Sequence, residues 1–196
     1  MSRKEILFAS NNAHKVEEVR KLLPENYHLH SLNDLNWSED IPEPFDTYED
    51  NAKAKVRYVF ERTGLSCFSD DSGLAIDALD GRPGVYSARY SGDKGNAKAN
   101  IEKVLGELHG ESNRAARFYS IIAFLDSKQE ITLFKGIVEG VITMEPMGSG
   151  GFGYDPIFIP DGFDQTFGQL PDVIKNKISH RAESIKKFIS YLAVQE

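Results

Sequence analysis

Short apolar runs alternate along this chain with longer stretches whose apolar residues recur every three or four positions, and that alternation leaves few folds open. "EILFA" (5–9) reads as a buried strand, and "SNNAHKVEEVRKLL" after it carries Val16, Val19 and Leu23 at helical spacing. "YHLHSL" (27–32) reads as a second short strand. Thr47 and Asp50 form a capping-box-like start for a helix that runs to about Arg62 and buries Ala52, Val56 and Val59. Residues 66–79 read as two strands, with "DDSG" between or within them. A helix is expected from about Lys94 to Leu108, burying Ala97, Ile101, Val104 and Leu108. Residues 115–126 and 130–143 read as a β-hairpin or long paired strands. The segment 172–194 reads as mainly helix, with a stripe of Ile174, Ile178, Ala182, Ile185, Ile189 and Leu192. "GRPGVYSARYSG" and "MEPMGSGGFGYDP" are loops by their glycine and proline punctuation. Strands mixed with helices imply an α/β sheet flanked by helices.

The length of 196 residues suits one large domain over 1–196, or one domain with two lobes. No run of 18 apolar residues exists, so no membrane-spanning helix is expected. The first residues turn polar too soon for a secretory signal, and the single cysteine, Cys67, permits no internal disulfide; a cytoplasmic location is the expectation. With 23 basic and 30 acidic residues the formal net charge is −7, which argues against bulk binding to nucleic acid or an anionic membrane. A small anionic ligand stays open, because a few lysines or a metal ion can reverse the sign of one site.

Four stretches carry residues suited to such a ligand. In "FASNNAHK" (8–15) a strand gives way to a helix, whose N-terminus favours phosphate, and Lys15 adds a full charge one turn in. Without glycines this is not a Walker loop, and an ordinary Asn N-cap accounts for the same residues. Asp70 and Asp71 interrupt a strand-like run, and Glu43, Glu49 and Asp50 cluster near a helix start. Carboxylates are what Mg²⁺ takes beside water and phosphate, but spacing alone does not single them out, and an acidic turn or a dipole-favoured surface accounts for the same residues. "GSGGFGYDP" (148–156) could bring Phe152 and Tyr154 against a planar base, or give both rings to the core. "KNKISHRAE" (175–183) offers Lys175, Ser179, His180 and Arg181 as donors, with His180 and Arg181 off the apolar stripe, or else a solvated helix face. "YHLH" places His28 and His30 on one strand face; with no third ligand in view the pair reads as surface.

Taken in order, "SNNAHK", "DTYEDNAKAK", "DDSGLAIDALDGRPGVYSARYSG", "GSGGFGYDPIF" and "ISHRA" resemble the inosine triphosphate pyrophosphatase family from Ile6 to about Phe188. The resemblance implies an elongated, two-lobed α/β fold in which a long mixed sheet floors a central cleft. It implies Mg²⁺-dependent hydrolysis of ITP, dITP and XTP between the α- and β-phosphates, releasing the monophosphate and pyrophosphate, by a homodimer. Carried over residue by residue, Asp71 is the catalytic carboxylate, linked to metal, and Glu43 a second metal ligand. Ser10, Asn11, Asn12, Ala13, His14 and Lys15 hold phosphates, and Ser72 contacts substrate. Phe152, Gly153, Tyr154, Asp155, Lys175, His180 and Arg181 hold the nucleoside. Two departures stand out: "EPF" where the family more often has Glu-Thr-Gly, and "DNA" in place of "ENA", which leaves open whether Glu49 or Asp50 meets metal. Two rival readings stand beside it. A septum-inhibition-type pyrophosphatase would act on other modified nucleotides, and a nucleotide sensor would lack catalysis. A 6-oxo purine presents an acceptor where adenine presents a donor, so donors at 179–181 would separate the two.

Overall fold

The computed structural model describes residues 4–92 and 95–194. Its six-stranded sheet is mixed. β1 (Lys4–Phe8) pairs in parallel with both β2 (Tyr27–Ser31) and β3 (Cys67–Ile76), and β5 (Ile131–Ile142) pairs antiparallel with β6 (Phe158–Pro160). With β4 (Ala115–Leu125) the order is β2-β1-β3-β4-β5-β6. The helices are α1 (Ala13–Leu22), α2 (Tyr48–Thr63), α3 (Ala97–Glu107), α4 (Asp172–Ile178) and α5 (His180–Val194). This is the expected α/β class.

The chain divides into two compact units. The first comprises Met1–Asp71, Ser120–Gly136 and Ala182–Glu196, and the second Ser72–Tyr119 and Ile137–Arg181. The division falls inside β3, β4 and β5 and two residues into α5.

In the first unit the pleat of β3 sorts its side chains to two helix layers. Cys67, Ser69 and Asp71 point to α2: the Cys67 thiol reaches the Val56 carbonyl, Ser69 Oγ donates to the Ala52 carbonyl at 2.7 Å, and Asp71 meets Lys55. Phe68 and Asp70 point the other way. Phe68 stacks on Phe8 with centroids 4.7 Å apart and packs against Phe188 of α5. Each such ring stabilises the fold by about 1.5–3 kcal/mol. Burial pushes the Cys67 thiol up to about 12, so the lone cysteine is an inert core group.

In the second unit Leu74, Ile76, Ile101, Val104, Phe118, Phe158 and Phe167 form one core. "GRPGVYSARYSG", expected as loop, contains a 3₁₀ turn over Gly84–Arg89 that a polar network pins. Ser87 Oγ accepts from Leu74 N–H and donates to the Gly84 carbonyl, while the Ser87 carbonyl receives Asn100 Nδ2 and the Tyr154 hydroxyl.

Four readings change. Residues 67–76 form one strand, not two, with "DDSG" inside it. Asn96 caps α3, which starts at Ala97; Lys94, where the helix was expected to begin, lies outside the described residues. The short β6 was not anticipated. The C-terminal helix is broken at Ser179, whose extended backbone resets the helical phase. His180 and Arg181, expected off the apolar stripe, are therefore buried, and Phe188, absent from that stripe, is fully buried.

Candidate active site

In the first unit α2 supplies a lysine to the last residue of β3 in that unit. Lys55 Nζ lies 2.7 Å from Asp71 Oδ1, 2.7 Å from Glu43 Oε1 and 3.0 Å from the Asp70 carbonyl oxygen. Sequence reasoning missed Lys55, although a signal was there: it falls one position before Val56 within the Ala52–Val59 stripe, where a surface lysine does not belong. Asn51 holds the segment carrying Glu43, accepting from Phe45 N–H and donating to the Phe45 carbonyl, both at 2.9 Å. Asp50, left open as a metal ligand, is used as a cap. It accepts from Thr47 Oγ1 at 2.9 Å and pairs with Lys53, and these contacts hold its carboxyl below the usual range.

The two aspartates do different things. Asp70, 2 % exposed, accepts from Ser120 Oγ at 2.6 Å and pairs with Lys15 Nζ at 2.7 Å; Ser120 in turn meets Ser184 of α5. Asp71 gives one oxygen to Lys55, and its other oxygen, Oδ2, is buried with no hydrogen-bond partner among the described residues. A buried carboxylate oxygen left unmatched costs about 1–3 kcal/mol or more, a cost that a bound water or cation would remove. Burial pushes the Asp71 carboxyl above its usual range, against the pull of Lys55 and Lys15. Lys55 shows the opposite balance: burial opposes its charge, but Asp71 and Glu43 together outweigh burial and raise its pKa. The asymmetry is physical. Lys55 faces two carboxylates, whereas Asp71 shares its lysine with Glu43 and feels that neighbour's charge.

An orphaned Asp71 oxygen beside Glu43 is an all-oxygen donor set, which fits a hard divalent cation such as Mg²⁺. Near it, β1 ends and α1 begins as expected. Asn12 caps α1, its side chain accepting from Lys15 N–H; Ser10 is half-buried, and Asn11, Asn12, Ala13 and His14 are exposed around that helix start.

The second unit assembles the other set. Asp155 Oδ2 receives Lys175 Nζ and Phe152 N–H, both at 2.7 Å, and the ion pair is buried. The close approach depends on Gly151: its φ is +70°, and a Cβ there would lie 2.0 Å from Asp155 Oδ2. Phe152 is half-buried, with Lys175 Nζ 4.9 Å and Arg181 Cζ 5.6 Å from its centroid. Arg181 also donates to Ser72 Oγ at 3.0 Å. The His180 ring stacks on Phe118, with centroids 4.8 Å apart and 11° between planes. Lys175 and Arg181 are thus buried cations, which corrects the solvated-face reading. Tyr154, expected beside the nucleoside, is instead turned into the core, its hydroxyl on the Ser87 carbonyl; Phe152 is the loop aromatic that stays half-buried. Gly153 is half-buried between them.

A sequence profile of the Ham1 family matches residues 6–191. The dITP/XTP pyrophosphatase of Flavobacterium johnsoniae is 48 % identical over 188 residues, covering 95 % of this chain and 97 % of that protein. The protein of the same name from Christiangramia forsetii is 46 % identical, over 96 % of this chain and 98 % of its own. The structure of the Staphylococcus aureus Ham1 protein superposes with a TM-score of 0.89 at 38 % identity, covering 98 % of this chain and all of that one. The chain belongs to the Ham1 family.

Proposed function

We propose that this chain hydrolyses purine nucleoside triphosphates outside the standard set (ITP, dITP and XTP) between the α- and β-phosphates, releasing the monophosphate and pyrophosphate. The observation that carries the reading is the Asp70–Asp71 pair, where one carboxylate is fully engaged and the next offers a buried, unmatched oxygen. It stands in a chain nearly half identical, end to end, to a dITP/XTP pyrophosphatase.

In this reading Lys15 and the start of α1, with Ser10, Asn11, Asn12, Ala13 and His14, take the polyphosphate by charge and helix dipole. Lys55 holds Asp71 in place through Oδ1 and leaves Oδ2 for chemistry. Asp71 orients the attacking water and accepts its proton. The upward push of burial makes it a stronger base than a surface aspartate. Asp71 and Glu43 would hold Mg²⁺, which when bound supplies charge neutralisation on the polyphosphate. The half-buried Phe152 ring stacks on the base, with Gly153 giving room. Lys175 and Asp155 fix the loop, and Ser72, His180 and Arg181 supply the polar contacts. A 6-oxo group satisfies donors there, whereas adenine's amino group meets them donor to donor, a mismatch that discriminates strongly. The same reading carries a cytoplasmic homodimer that acts on free nucleotides.

The test is one product assay. ITP, ATP and dTTP are each supplied with and without Mg²⁺, and pyrophosphate and orthophosphate are measured. Pyrophosphate from ITP alone, only with Mg²⁺, is expected. Orthophosphate would refute the bond assignment, preference for dTTP would favour the septum-inhibition type, and no turnover at all would leave a sensor.

A further inference from the structure

The parallel register of β1 and β2 sets Glu5 opposite His28, and His30 lies two residues on, on the same face. The sequence offered no third ligand to this histidine pair; the register supplies one. Glu5 Oε2 contacts His30 Nε2, and the two imidazole rings lie 4.8 Å apart, edge to face. One donor atom from each of the three side chains lies within 4.8 Å of the others, the one such convergent group among the described residues. Glu5 and His28 are exposed and His30 is half-buried, so an ion can enter from solvent.

We propose that Glu5, His28 and His30 bind one divalent transition-metal ion of the zinc type, with water at the fourth position. The donor set decides the class. Two imidazole nitrogens and one carboxylate suit Zn²⁺, Ni²⁺ or Cu²⁺, whereas Mg²⁺ prefers oxygen throughout. The site is thus chemically distinct from the carboxylate pair at Asp71 and Glu43, and it does not rest on the function proposed above. Geometry permits it: metal bonds of about 2.0–2.1 Å put tetrahedral ligands roughly 3.4 Å apart, and rotation of the exposed His28 and Glu5 side chains brings the three donor atoms to that spacing. Because β2 stands at one end of the strand order, the ion would clamp the outer strand to its neighbour.

The probe is Zn²⁺ titrated calorimetrically into the full chain in excess Mg²⁺, with Co²⁺ visible absorption as the readout of ligation. One equivalent is expected, binding unchanged in Glu43→Gln and Asp71→Asn. It should weaken at least about a hundredfold in His28→Asn and in His30→Asn, since even outer-shell changes cost about 10–100-fold. His28→Asn should keep the metal-free melting temperature and the Mg²⁺-dependent turnover of the parent. Absence of Zn²⁺ binding in the parent, or binding that survives both histidine variants, overturns the proposal.

Discussion

Lys55 is the cation shared by Asp71 and Glu43, and it ties both to β3. Removing one partner of a buried pair typically costs about 3–5 kcal/mol, because the other charge is left uncompensated. Lys55→Met should therefore lower unfolding stability by roughly that amount in denaturant titrations, and a loss below about 1 kcal/mol would contradict the assignment. The pH dependence has a definite sign. The Lys55 pKa is raised in the folded state, so its contribution is fully present below the unfolded value of about 10.4 and is lost as pH rises through the folded one. The parent should lose stability in that alkaline window, and Lys55→Met should lack the step. Asp71 has the same sign from a different cause, since burial disfavours its charged form whereas carboxylates favour that of Lys55. Its folded pKa is raised, so its favourable contribution is present below about pH 3.9 and lost as pH rises. At neutral pH its charge is held against stability, so Asp71→Asn should keep the melting temperature within a few degrees while turnover falls about 10²–10⁴-fold. Asp70→Asn should instead unfold earlier, because it weakens the buried pair with Lys15. A stable, inactive Asp70 variant beside an active Asp71 variant would reverse the two roles.

At the scale of elements, one helix turn positions one loop. Asn51, in the first turns of α2, holds Phe45 by both backbone groups and so fixes the segment that bears Glu43. Asn51→Ala should raise the Mg²⁺ concentration needed for half-maximal turnover, with most of the rate recovered at saturating Mg²⁺. An unchanged Mg²⁺ dependence would separate Glu43 from metal. Periodicity read α1, α2 and α3 well, because amphipathic stripes and caps such as Thr47 and Asn12 are local signals. It failed at Ser179, where a one-residue break changes the phase and carries His180 and Arg181 inside. It also missed Lys55, whose role depends on carboxylates 12 and 16 residues away in sequence.

For the whole molecule, the α/β class was legible from alternating periodicities, but strand neighbours were not. β1 sits between β2 and β3, and β6 is only three residues long, too short for a periodic signal. The candidate site residues stood out as residue types in order, through the resemblance, while their pairings are products of the fold: Asp70 with Lys15, Asp71 with Lys55, Asp155 with Lys175. Under the proposed function those pairings would divide the labour, with polyphosphate and catalysis falling to groups of the first unit and base recognition to groups of the second. The ratio of kcat/KM for ITP over ATP, compared between Lys15→Met and His180→Asn, tests that division most directly. Lys15→Met should slow both substrates alike and leave the ratio unchanged, and His180→Asn should compress it by about tenfold or more. A ratio that collapses in Lys15→Met and stands intact in His180→Asn would contradict the account.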